Sequence, residues 1–198
     1  DRLARIMLEL QTAGCHNINL VTPTHQIPAI LRALVRAVEK GLILPIVYNC
    51  GGYESLETLR LLDGIVDIYM PDLKFMDGAH AKRYAEASDY PDVARAALLE
   101  MHRQVGDLVM ESSGVAQHGL LVRHLLMPDD IAGSSEALRF IAGELSPDTY
   151  VNVMDQYHPC YRAAEFPELN RRITPGEYRY ALQLAKVAGL RRIDSDFR

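Results

Sequence analysis

The feature that most constrains this chain is a repeated couplet, a helix-patterned stretch closed by glycine and then a short apolar run. "DRLARIMLELQTAG" sets Leu3, Ile6, Met7 and Leu10 on one helical face and stops at Gly14. "NINLV" follows as a strand. "PAILRALVRAVEKG" repeats the scheme with Ile30, Leu34 and Val38, ending at Gly41, and "LILPIVY" is the next apolar run. "ESLETLRLLDG", opened by an acid and closed by Gly64, delivers "IVDIYMPDLKF". Further on come the strand "GLLVRHLLM", the helix "SSEALRFIAGEL", the strand "TYVNVMD" and the helix "TPGEYRYALQLAKVAGL". Strands this uniformly apolar are expected where helices cover a parallel sheet. The interval from Phe75 to Gly119 is longer and holds two helical stretches, "AHAKRYAEA" and "PDVARAALLEMHRQVG", and a short "LVM" that reads as an extra hairpin strand.

The alternation predicts an α/β chain of about five parallel strands, built as a barrel or partial barrel. A dinucleotide-binding sheet is disfavoured, because no GxGxxG follows any strand and the chain opens on a helix. A first strand is therefore expected to lie outside the sequence as given. With no internal repeat, low-complexity run or linker, residues 1–198 read as one domain. A hydrophobic share of 48% and a charged share of 24% suit a folded chain. The formal net charge of -5 argues against nucleic acid or an anionic membrane as partner. No run approaches the length needed to span a bilayer, and no signal peptide is visible. Three cysteines, an odd number, suggest a reducing, cytoplasmic setting.

Parallel α/β folds bind ligands at the carboxyl ends of their strands, and here each strand end is polar. The first gives Thr22 to His25, which either face a ligand or cap the next helix. The second gives "YNCGGY", a tight turn or a close approach of backbone to a ligand. The third gives Asp72 and Lys74, two residues apart and so on one face if the strand persists. The fourth sets Arg123 among apolar residues; a guanidinium cannot shed its charge and needs an anion, either Asp72 or a ligand. Its neighbour His124 points the other way and reads as a packing residue. The last gives "DQYHP", with His158 as a ligand contact or a loop hydrogen bond. No HxH, HExxH or cysteine-cluster spacing occurs, so no metal ligand is expected in this chain.

Together "NINLVTPTHQIP", "LPIVYNCGGYESLETLRLLDGIVDIYMPDLKF", "DYPDVARAALLEMHRQVG", "GLLVRHLLMP" and "YVNVMDQYHP" resemble pyruvate formate-lyase activating enzyme-like proteins of the radical S-adenosylmethionine superfamily. The resemblance runs from the first helix to the last. It implies a partial, open TIM-type (βα)6 barrel whose first strand and cluster loop are absent from this chain. In that family a CxxxCxxC loop holds a [4Fe-4S] cluster, and S-adenosylmethionine is cleaved to a 5′-deoxyadenosyl radical that abstracts hydrogen. The implied partners are S-adenosylmethionine, an electron donor such as flavodoxin or ferredoxin, and a glycyl-radical enzyme.

By position, the resemblance sets Thr22, Thr24 and His25 where the family usually carries Gly-Gly-Glu against the cofactor's amino group, a departure from the pattern. Asn49, Cys50 and Gly51 fall on the turn against the cofactor. Asp72 and Lys74 match the family's Asp-Leu-Lys, Arg123 a strand arginine near the cofactor's carboxylate and ribose, and His158 a histidine near the adenine. The resemblance thus makes Asp72, Lys74 and Arg123 the expected catalytic residues. CxxxCxxC itself is missing, and the resemblance places it upstream of Asp1, so the chain alone is expected to be inactive. Two other readings compete: a barrel lyase or aldolase forming a Schiff base on Lys74, and a cluster-less module that binds a nucleotide or a protein without catalysis.

Overall fold

The computed structural model describes residues 1–194. Helix α1 (Arg2–Thr12) leads into β1 (Ile18–Val21), α2 (Ile27–Val38) into β2 (Ile46–Cys50), and α3 (Leu56–Leu61) into β3 (Ile68–Leu73). Then α4 (Gly78–Ala85), α5 (Tyr90–Val105) and β4 (Val109–Met110) precede the long β5 (Ala116–Leu125). Helix α6 (Ser134–Phe140), extended by a wide turn at Ile141–Leu145, precedes β6 (Tyr150–Met154); α7 (Pro175–Val187) precedes β7 (Arg192–Asp194).

The sheet runs β1-β2-β3-β5-β6-β7, all parallel, with β4 antiparallel on β5. Strands in sequential order, joined by right-handed crossovers, put every helix on one face. A doubly wound sheet would need the order to reverse. The sheet is an open α/β half-barrel, with β1 and β7 as its edges. Two details correct the sequence reading. There are six parallel strands among the described residues, because "RID" at the end forms β7, too short and too polar to show as a strand in the sequence. The hairpin strand expected at "LVM" is present as β4, and its partner β5 starts before Gly119, at Ala116.

Local chemistry explains the helices. In α2, Ile27, Ile30, Ala33, Leu34 and Ala37 recur at helical spacing and are all buried. Thr174 and Glu177 form a reciprocal capping box on α7. Helix α5 turns Ala94, Ala97, Leu98, Met101 and Val105 onto the outer face of the sheet, where Tyr69, Leu73, Leu120 and Val122 wait. Burying a side chain such as Leu98 or Met101 completely contributes about 1.5–3 kcal/mol. The inner face has only a small apolar floor, Val47, Ile68 and Leu108 with Met70, Leu121 and Tyr150. Among the described residues nothing apolar covers that face above the floor, and the polar residues begin there.

Candidate functional site: the inner face at the strand ends

Strand alternation decides what reaches the inner face. Register pairs Val47 with Ile68 and Asn49 with Met70, so Asn49 lies one step above the apolar floor. Asp72 pairs with Arg123, and Arg123 in turn with Asn152. These residues form a polar row across four strands. Lys74, the residue after β3, joins it through its ion pair with Asp72.

The row is tightly connected at its centre. Asp72 is buried; its Oδ1 lies 2.7 Å from Arg123 Nη2 and its Oδ2 lies 3.0 Å from Lys74 Nζ. The same Nη2 donates to Asn49 Oδ1 at 2.7 Å. Arg123 Nε is buried with no hydrogen-bond partner among the described residues. One carboxylate thus sits between two cations, and part of the guanidinium fork is unspent. An unsatisfied buried donor costs about 1–3 kcal/mol. On the other side of Arg123, Asn152 Nδ2 donates to Asp194 Oδ2 at 2.7 Å. Beside that pair lies a cavity of about 410 Å³ lined by Met154, Asp155, Gln156 and Arg172.

The other expected residues are placed differently. Thr22 lies in the left-handed region (φ 50°) and its N–H donates to the carbonyl of Asn49, tying the first strand end to the second. Thr24 and His25 are exposed. Neither caps α2, whose N-cap is Gln26 without a side-chain bond; Thr24 instead donates to Glu54 Oε1 at 2.8 Å. Cys50 is buried on the outer, helix-covered face, away from the row. Burial, reinforced by the nearby Glu54 carboxylate, pushes its thiol well above the usual range. Gly51 borders the row, 3.9 Å from Lys74 Nζ at the point a Cβ would occupy. His158 is exposed, with Nδ1 3.3 Å from the carbonyl of Gln156. It lines a separate cavity of about 190 Å³ with Phe75, Tyr84, Met127, Tyr157 and Phe166.

His124 packs on the outer face, Nδ1 2.8 Å from the Leu73 carbonyl and Nε2 3.0 Å from Ser134 Oγ. Complete burial lowers its pKa.

The sequence reading passed over three residues. Glu54, taken for a helix opener, is buried and accepts from Thr24 and from Tyr48 Oη (2.9 Å), while Ser55 caps α3. Its signal was a charged residue directly after the "CGGY" turn. Asn152 and Tyr90 also bear on the row. Tyr90 Oη meets the backbone of Gly51, Asp72 and Lys74. It comes from a helix far along the chain and gave no local signal.

Fold and site together define an open α/β half-barrel with a charged inner face at the carboxyl ends of its strands. Its architecture matches the crystal structure of a domain of pyruvate-formate lyase-activating enzyme from Bacteroides vulgatus, with a TM-score of 0.61 over 90% of this chain and 97% of that one. At 11% identity the likeness is one of fold. In sequence the chain is 31% identical over 176 residues to an uncharacterized protein of Methanocaldococcus jannaschii, covering 88% of this chain and 47% of the relative. The chain thus spans about half the length of that relative. No protein-family model matches it.

Proposed function

We propose that the inner face binds S-adenosylmethionine and that the chain serves a radical S-adenosylmethionine enzyme of the activating-enzyme type. The observation that carries this reading is Asp72 held between Lys74 and Arg123 on an open face, with the Arg123 fork partly unspent. Such a row suits a zwitterion. Arg123 and Lys74 attract the cofactor's carboxylate, and Asp72 attracts its ammonium or sulfonium charge. The backbone of Thr22 to Thr24 and of Asn49 to Gly51 borders the same opening and supplies neutral contacts. The half-barrel architecture shared with the activating-enzyme domain supports the assignment.

The residues present do not fit an iron–sulfur cluster. Cys15 precedes β1, Cys50 is buried on the outer face and Cys160 is exposed beyond β6. Among the described residues no group of three histidine, cysteine or acidic side chains could hold a metal. The proposal therefore assigns this chain the binding and orientation of the cofactor. A [4Fe-4S] cluster would need a CxxxCxxC segment outside these residues, and would supply the electron taken from a donor such as flavodoxin or ferredoxin. Hydrogen abstraction from a glycyl-radical enzyme is the downstream step proposed. A CxxxCxxC encoded upstream of Asp1 is the first check of this part.

Equilibrium dialysis with S-adenosylmethionine tests the chain itself. Binding by the wild type is expected, and Lys74→Ala should weaken it about tenfold, the effect of about 1.4 kcal/mol. A folded wild type that binds no S-adenosylmethionine removes the reading. A borohydride-trapped adduct on Lys74 with a carbonyl substrate would favour a lyase instead.

A further inference from the structure

We propose that Tyr90 is the positioning residue of the Asp72–Lys74 segment, its phenol replacing sheet pairing that β2 and β3 do not make beyond their last rung. As a statement about ligand binding, this rests on the cofactor reading above; as a statement about the backbone, it does not.

The last registered pair of these strands is Cys50 with Pro71. Beyond it the two chains press together without pairing. A Cβ added to Gly52 would lie 2.2 Å from the Asp72 carbonyl oxygen, and Gly52 has φ +79°. Only glycine fits there. The Gly51 carbonyl and the Lys74 N–H lie just past that rung, outside the ladder of these two strands.

Tyr90, the first residue of α5, meets both. Its hydroxyl shares one proton between the carbonyls of Gly51 at 2.9 Å and Asp72 at 3.1 Å, and it accepts the N–H of Lys74 at 3.0 Å. The ring is fixed in turn. Phe75 meets it edge-on with centroids 6.0 Å apart, and Tyr53 stacks on it at 6.1 Å and an interplanar angle of 6°. Tyr53 Oη donates to the Asp89 carboxylate, its two oxygens 2.9 and 3.0 Å away. Burial holds the Tyr90 phenol protonated by raising its pKa. Side-chain placement at residues 72 to 74 follows from this backbone clamp, so Tyr90 acts on the ion pair without touching the inner face.

The test compares Tyr90→Phe with Tyr69→Phe. Tyr69 is also buried, lies on β3 and spends its hydroxyl on Gln104 Oε1 at 2.7 Å, away from the row. Both variants should lose melting temperature. Only Tyr90→Phe should accelerate hydrogen exchange at the Lys74 amide, by about tenfold beyond any global change, and weaken S-adenosylmethionine binding about tenfold. Equal exchange at Lys74 in the two variants overturns the clamp. Faster exchange with unchanged cofactor affinity overturns its role in binding. A wild type that binds no cofactor, with exchange still released by Tyr90→Phe, removes the cofactor reading and leaves the clamp standing.

Discussion

Two aspartates at opposite poles of one sheet show what separates a site from a fastening. Asp107, beyond the end of α5 at the amino pole, has both oxygens committed. Ser146 Oγ donates to Oδ2 at 2.8 Å, and Thr149 Oγ1 and His102 Nε2 lie 3.4 and 3.2 Å from Oδ1. Each partner belongs to a segment that must be held, the last turn of α5 or the entry to β6. Asp72, at the carboxyl pole, is paired with two cations instead of neutral hydroxyls, and one of those cations keeps a buried donor without a partner. The first cluster closes loops and is complete. The second carries excess positive charge on a face that no helix covers among the described residues, with one buried guanidinium donor unspent.

The largest expected effect lies at Arg123. Removing Arg123 takes away the shorter of the two ion pairs of Asp72 and the bond to Asn49, leaving Asp72 to Lys74, at a cost of about 3 kcal/mol. Arg123→Ala should therefore lower the urea midpoint strongly and reduce S-adenosylmethionine binding below detection. Arg123→Lys should restore much of the stability without the binding, because lysine keeps the charge and loses the planar fork. If Arg123→Ala unfolds like the wild type, Asp72 is no more strained than Asp107 and the contrast fails.

A smaller effect is expected from Gly52→Ala, which forces a Cβ into the Asp72 carbonyl at a left-handed position. Backbone strain of this kind costs about 1–3 kcal/mol. It should displace Asp72 and so impair binding as well as stability. Asp107→Asn is the opposing control. It should cost only about 1 kcal/mol, since the cluster is partly exposed and its bonds are largely neutral. Cofactor affinity should not change. Loss of affinity in Asp107→Asn would show that the two poles are coupled.

The contrast also explains what could be read from the sequence. The half-barrel was legible because apolar runs and glycine-stopped helices alternate with a fixed period, and sequential strand order follows from short connections. Asp72, Lys74 and Arg123 were legible because charges inside apolar strands are costly and need a partner. Residues whose meaning depends on distant segments were harder to see. Glu54 looks like a helix opener until Tyr48 and Thr24 are seen to donate to it. Cys50 sits beside Asn49 in the chain, yet alternation sends it to the opposite face. Strand β7 escaped notice because three residues with one apolar side chain carry no period.

His124 gives the smallest and most specific prediction, since it adjoins Arg123 in sequence and faces the other way. Its imidazole is fully committed, to the Leu73 carbonyl and to Ser134, in a site without water access. Burial lowers its pKa in the folded chain. Below the ordinary histidine value of about 6.5 the unfolded chain takes up a proton that the folded chain refuses, so stability falls as pH falls. This group should lower stability as pH falls from 7.5 to 6.0. His124→Asn should erase that part of the acid limb while leaving the cofactor affinity of the inner face intact. Urea midpoints of the two proteins at both pH values measure it. An equal acid limb in both would show that His124 is protonated in the folded state, and hence that the outer face is wet behind the very strands that carry Asp72 and Arg123.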